Sequence, residues 1–196
     1  MKITHALLVP AALACFTVAA CGSNNSSSDT TTRADAATSS ASTTTCPSAE
    51  PAAGTAAEWT VHGSTGSAEV AGSTDTAAPK ITVTTPFSVA ETKVQTLKPG
   101  TGAVVSDSAT VSVCYMGVDG RTGKVFDSSY ERGTPADFPL GGVVPGFKKA
   151  IAGQKVGSTV GVAMTSADGY PDGNADAGID KGDTLVFAIK VLSAEG

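Results

Sequence analysis

Three runs of alternating residues constrain this chain more than any other feature. Val111, Val113 and Tyr115 alternate with Ser112 and Cys114. Val160, Val162 and Met164 alternate with Thr159, Gly161 and Ala163, and Leu185, Phe187, Ile189 and Val191 alternate with Val186, Ala188 and Lys190. A period of two sends one set of side chains into a core and the other away from it, so each run reads as a half-buried strand. Short connections between such strands imply an antiparallel sheet. A further strand is read over Lys93 to Lys98, ending at the Pro99-Gly100 turn. One helix is expected, over residues 145–152. Pro145 suits its first turn, Phe147 and Ile151 share a face four residues apart, and Gly153 can end it. A single short helix cannot cover a flat sheet, but a curved sheet could wrap around it.

Aromatic residues concentrate in the same region. Seven of the chain's ten lie between Tyr115 and Phe187, so an aromatic pocket must be built there. Beyond residue 20 the only histidine is His62, which argues against a Ser-His-Asp or Cys-His hydrolase. No Cys/His cluster has zinc spacing, and no Gly-rich loop followed by Lys-Ser/Thr offers a phosphate cradle. No cofactor or metal is expected. Asp168, Asp172, Asp176, Asp180 and Asp183 are spaced unlike an EF-hand loop and read as a solvated acidic loop. The formal net charge is −5 and no basic stripe exists, which argues against nucleic acid as a partner.

Four segments carry a family resemblance: Tyr115-Met116-Gly117, Val125-Phe126-Asp127-Ser128-Ser129, Val143-Val144-Pro145-Gly146-Phe147 and Gly182-Asp183-Thr184-Leu185-Val186-Phe187. In this order and spacing, from about Glu91 to Leu192, the chain resembles the FK506-binding (FKBP) class of peptidyl-prolyl cis-trans isomerases. The resemblance implies an α+β fold, with a strongly curved antiparallel β-sheet wrapped around one short α-helix. It implies isomerisation of X-Pro bonds in Pro-containing polypeptides, and a pocket open to macrolides such as FK506. It places Tyr115, Phe126, Val144, Phe147 and Phe187 in the proline pocket, with Phe147 as floor. Tyr170 would offer its hydroxyl and Val144 its backbone N–H to the peptide carbonyls. Asp127 would orient Tyr115 without transferring a proton, and Val143 and Ile179 would form the rim.

The chain departs from the family pattern in places. Phe147 stands where tryptophan is common, Ala136 where an aromatic is common, and Phe138 is read as core rather than wall. Read from the residues alone, Tyr115, Phe126, Phe147 and Phe187 could equally be core; Asp127 and Tyr170 beside them favour a pocket. The same pocket could also serve a non-catalytic module that binds Pro-containing segments of envelope proteins.

Residues 1–20 read as a targeting segment. Val18-Ala19-Ala20-Cys21 resembles a bacterial lipoprotein cleavage box, with Cys21 as the lipidated residue; an ordinary secretory signal cut near Ala20 is the alternative. A lipid on Cys21 would hold an exported, monomeric protein at the outer face of the bacterial cell membrane, with no other membrane contact. Residues 21–57, dominated by Ser, Thr, Ala, Asn and Asp, read as a disordered low-complexity linker. Residues 58–90 read as an extension packed on the domain of residues 91–196. Its short strands are Trp59-Thr60-Val61 and Ile81-Thr82-Val83, with a Gly/Ser/Ala-rich loop between them. Once Cys15 and Cys21 are set aside, Cys46 and Cys114 remain, an even number in an exported protein. Either they form a disulfide that straps the N-terminal segment across the outer face of the sheet, with Trp59 as a cover, or both stay free thiols.

Overall fold

The computed structural model describes residues 45–196. The expected leader, Cys21 and the linker up to residue 44 lie outside the described residues. A three-stranded antiparallel sheet comes first: β1 (Trp59–His62), β2 (Thr65–Ala71) and β3 (Lys80–Ser88) in the order β1-β2-β3. The larger sheet holds β4 (Lys93–Lys98), β5 (Thr110–Asp119), β6 (Val125–Ser128), β7 (Ala136–Pro139), β8 (Thr159–Met164) and β9 (Leu185–Glu195). Its order is β4-β8-β9-β5-β6, with β7 paired to β5, and every pairing is antiparallel. A one-turn helix α1 (Ser129–Arg132) follows β6, and α2 (Pro145–Ile151) follows β7.

The alternation seen in the sequence sorts side chains onto two faces. Val111, Val113, Tyr115, Val160, Val162, Met164, Leu185, Phe187, Ile189 and Val191 point inward to one core with Phe147, Ala150 and Ile151 of α2. Register shifts at Ser112/Val113 in β5, Gly117/Val118 beside β6 and Thr96/Lys98 in β4 are where the sheet can bend over the helix.

The opposite face, which the alternation alone leaves uncovered, is covered as well. All six residues of β8 are buried, as are the first five of β9. Ala163, Val186 and Ala188 form a second core with Val61, Ala68, Val70, Phe87 and Val89, and Trp59 and Leu97 pack on it. The cause is the small sheet, which lies on this face. Its approach is close enough to require glycine at position 161, where a Cβ would fall 2.7 Å from the Trp59 ring. The Gly/Ser/Ala-rich stretch read as loop contains β2, whose inward residues Ala68 and Val70 are fully buried. Small side chains suit two closely stacked sheets and leave only a weak hydrophobic signal in the sequence.

The segment read as linker is in part placed structure. Cys46 is buried, its N–H bonds the Gly133 carbonyl at 3.1 Å, and Ala78 N–H bonds the Ala49 carbonyl at 2.8 Å. Cys46 and Cys114 form a disulfide, with Cα atoms 5.7 Å apart across 68 positions of sequence. Around it, Ala78 and Tyr130 complete a small third core. No helix among the described residues is long and apolar enough to cross a membrane.

Closing so long a loop restricts the unfolded chain, so replacing both cysteines by alanine is expected to cost about 2–4 kcal/mol of stability. The inner core holds neither cysteine, so the variant should still fold. Urea unfolding of the oxidised protein and the variant checks this; equal midpoints would show that the strap adds nothing.

Candidate functional site

A cleft of about 370 Å³ opens where β5, β6 and β9 face the start of α2. Tyr115, Phe126, Asp127, Phe138, Gly142, Val143, Val144, Phe147, Tyr170 and Phe187 line it. Phe147 sits at its base. It meets Tyr115 at 5.8 Å and 87°, Phe138 at 5.8 Å and 78°, and Phe187 at 5.6 Å and 80° between ring centroids and planes. Phe126 meets Phe187 edge-on at 5.5 Å. Edge-to-face contacts place the positive rim of one ring on the negative face of another.

Local sequence explains how each wall is placed. Tyr115 and Phe187 are inward residues of paired strands, β5 and β9. Gly117, two residues on from Tyr115, must be glycine, since a Cβ there would fall 2.6 Å from the Phe126 ring and 2.7 Å from that of Phe187. Val144 is the residue before Pro145, so its backbone stays extended (φ −59°, ψ 145°) and α2 begins immediately after it. Phe147 then falls in the first turn of α2 and points to the cleft's base.

The polar groups divide into paired and unpaired. The Tyr115 hydroxyl donates to Asp127 and accepts from Arg132 Nη2 at 3.0 Å. Arg132 Nη1 also bonds Asp127 at 2.5 Å, and its guanidinium lies 5.7 Å from the Tyr115 ring centroid. Burial, and then the bond to Asp127, pushes the Tyr115 hydroxyl from 10.0 up to about 12, so it stays neutral. In contrast, the Val144 N–H and the Tyr170 hydroxyl have no partner among the described residues.

Of the residues singled out in the sequence, Tyr115, Phe126, Asp127, Val143, Val144, Phe147, Tyr170 and Phe187 meet at this cleft. Ile179 does not line it. It is 2 % exposed and packs into the inner core, because its backbone pairs with Asn174 and turns it inward. Phe138, read as core, is a wall: it is half-buried and packs on Tyr115 and Phe147. Arg132 went unnoticed; it ends the one-turn helix α1 that follows β6, and that turn brings it back to Asp127. A larger cleft of about 440 Å³ lies under the strap between Ser48 and Tyr130. Tyr130 is its only aromatic, so it lacks the convergent walls of the smaller site.

Four of the five aspartates of the 168–183 loop pair with three cations. Asp168 pairs with Lys149 at 2.8 Å, Asp172 with Lys181 at 3.7 Å, and Asp180 and Asp183 with Arg121 at 2.9 and 3.0 Å. The bond from Lys149, then that from Thr92, holds the Asp168 carboxyl below its usual value. A lowered carboxyl pKa stabilises the fold fully above its unfolded value, about 3.9, and that contribution fades as pH falls through the lower folded value. In acid unfolding, the advantage of the native protein over Asp168→Asn should therefore shrink below about pH 4. A difference that stays constant from neutral to acid pH would contradict the ion pair.

Comparison with known proteins gives one consistent picture. Residues 102–192 match the family described as FKBP-type peptidyl-prolyl cis-trans isomerase. A probable FK506-binding protein from Corynebacterium glutamicum is 40 % identical over 96 residues, which is 48 % of this chain and 80 % of that protein. An FK506-binding protein from Streptomyces anulatus is 36 % identical over 107 residues, 53 % of this chain and 86 % of the relative. The N-terminal domain of FKBP42 from Arabidopsis thaliana superposes with a TM-score of 0.51 at 19 % identity, over 55 % of this chain and 88 % of that domain; it shares the fold.

Proposed function

The chain belongs to the FKBP-type peptidyl-prolyl cis-trans isomerase family, and from that premise we propose that it isomerises X-Pro bonds of exported proteins in the aromatic cleft. The observation that carries this reading is the pairing of apolar walls with two unpartnered donors, Val144 N–H and the Tyr170 hydroxyl. The barrier to rotation is about 18–20 kcal/mol, because the planar amide loses resonance as it twists. A twisted amide carries less charge on its oxygen than a planar one. A water-poor pocket therefore favours it over either planar form, which lowers the barrier.

The proline ring sits against Phe147, between Tyr115 and Phe187. The two donors hold the flanking peptide carbonyls and fix the register. Tyr115, Asp127 and Arg132 bond to one another, so they shape the wall instead of exchanging protons with the substrate. Rotation needs no acid, base, nucleophile or metal.

The purified protein should accelerate the proline-limited refolding of a test protein. Tyr170→Phe should weaken this by roughly 2- to 10-fold, the worth of one hydrogen bond. Phe126→Ala should lower it further, since it opens a wall. Losses in the reverse order with the fold intact would overturn these roles. A protein that binds proline peptides at this cleft without accelerating refolding would instead be a holding module.

We also propose that Cys21 carries lipid and anchors the exported protein to the outer face of the membrane. The lipobox-like Val18-Ala19-Ala20-Cys21 supports this. Cys21→Ser should release the protein from the membrane fraction or leave its leader uncut; unchanged membrane association would exclude a lipid anchor at this cysteine.

A further inference from the structure

The loop from Thr165 to Thr184 connects β8 to β9 and carries Tyr170, yet it contains no strand, only two short 3₁₀ turns. Its first part is tied down by Asp168, which accepts from Thr92 Oγ1 at 2.5 Å and from Lys149 at 2.8 Å. Beyond Tyr170, Pro171, Asp172 and Asp176 are exposed. The far end is held mainly by one side chain from elsewhere in the fold. Arg121 Nε donates to both oxygens of Asp183, at 3.0 and 3.2 Å, and Nη2 reaches Asp180 at 2.9 Å and the Gly178 carbonyl at 3.4 Å.

Arg121 belongs to the turn between β5 and β6, and that turn is held by hydrogen bonds. Asp119 Oδ1 accepts from both the N–H and the hydroxyl of Thr122 at 2.7 Å, and Gly120 N–H bonds the Thr184 carbonyl at 2.8 Å. The strand that leaves the turn carries Phe126 and Asp127. Arg121 therefore spans two walls of the cleft, one bearing Phe126 and the other Tyr170. Stability alone gives little reason for the outer contact, since the Arg121 side chain is 42 % exposed and that of Asp180 is 72 % exposed. Pairs so exposed contribute little to folding. What the planar fork supplies is a fixed distance between two elements, which a lysine cannot reproduce at a site with several acceptors.

Taking the cleft as the X-Pro site, we propose that Arg121 is a positioning residue that sets the Tyr170 hydroxyl at the distance a bound peptide requires. It acts on the reaction through Tyr170 and does not touch the substrate. Its loss leaves the aromatic walls in place and loosens the loop, so the peptide is held less firmly.

The test measures the Kd of a fluorescent Ala-Leu-Pro-Phe peptide, together with KM and kcat for its isomerisation. The proteins are wild type, Arg121→Ala, Arg121→Lys and Asp180→Asn, each alone and combined with Tyr170→Phe. Arg121→Ala should raise Kd and KM by roughly 2- to 10-fold, the most that losing one hydrogen bond can do, with kcat nearly unchanged. Arg121→Lys should recover part of the loss. In the Tyr170→Phe background the Arg121 substitution should have no further effect, because residues acting through one bond are not additive. Should Arg121→Ala fail to fold, Asp180→Asn removes one contact at an exposed carboxylate and should shift Kd in the same direction.

Wild-type Kd in both Arg121→Ala and Asp180→Asn, or equal losses with and without the Tyr170 hydroxyl, would overturn the proposal. A wild-type protein that binds the peptide but does not isomerise it would refute the enzymatic reading while Kd still decides the role of Arg121. Failure to bind the peptide at all would overturn both.

Discussion

The cleft depends on four rings that hold one another edge-on or tilted at its base. Phe147 faces Tyr115, Phe138 and Phe187 nearly edge-on or steeply tilted, and each pair keeps its centroids more than 5.5 Å apart. Edge-to-face contacts fix each ring by its neighbours, and the faces left over line a concave apolar surface. The arrangement requires a helix that starts at the cleft, which Val144 and Pro145 enforce. It also requires a strand with a gap in its side-chain row, which Gly117 provides. The short α2 packs into the curved sheet for the same reason. Phe147, Ala150 and Ile151 lie on one stripe, and that stripe fits only a surface that bends around it.

Support for the cleft continues behind the sheet. Ser129 Oγ accepts the Tyr115 N–H at 2.8 Å and lies 3.4 Å from Cys46 Sγ, while Cys114 precedes Tyr115 in β5. The next residue, Tyr130, is buried against the disulfide, and its hydroxyl bonds Ser73 at 2.8 Å. On the other side of the same short helix, Arg132 bonds Tyr115 and Asp127. One turn of chain thus links the strap outside the sheet to the polar wall inside it. The small sheet acts similarly by covering β8 and β9, which would otherwise show Ala163, Val186 and Ala188 to water.

Period-two patterning made the main sheet legible, because Val, Ile and Leu alternate with small residues over five or more positions in β5, β8 and β9. β4 and α2 were legible for related reasons, through the Pro99-Gly100 turn and the Pro145…Gly153 bounds. What escaped was set by partners remote in sequence. β2 reads as loop because its buried residues are Ala and Val among Ser, Gly and Glu, chosen for closeness to a second sheet. Phe138 reads as core because nothing local reveals that β7 ends beside an open cleft. Ile179 reads as rim because the Asn174–Ile179 pairing that turns it inward is a feature of the folded loop. Arg121 and Arg132 look like ordinary surface charges until the turns that carry them are placed.

The two tyrosines of the cleft show how the same side chain takes opposite tasks. The Tyr115 hydroxyl has both a donor and an acceptor beside it, so its bonding capacity is used within the protein and its ring is held still. Burial and Asp127 raise its pKa to about 12, which keeps the proton on the oxygen and the wall electrically neutral. Tyr170 has no such neighbours among the described residues, so its hydroxyl is free to meet a ligand, and its position must come from the backbone that carries it. That backbone is a loop without strands, fixed by ion pairs at its two ends. A residue whose bonds are all internal defines the shape of a site, and one left unpaired defines what the site can hold. The clamps on the loop decide how well the second can do so.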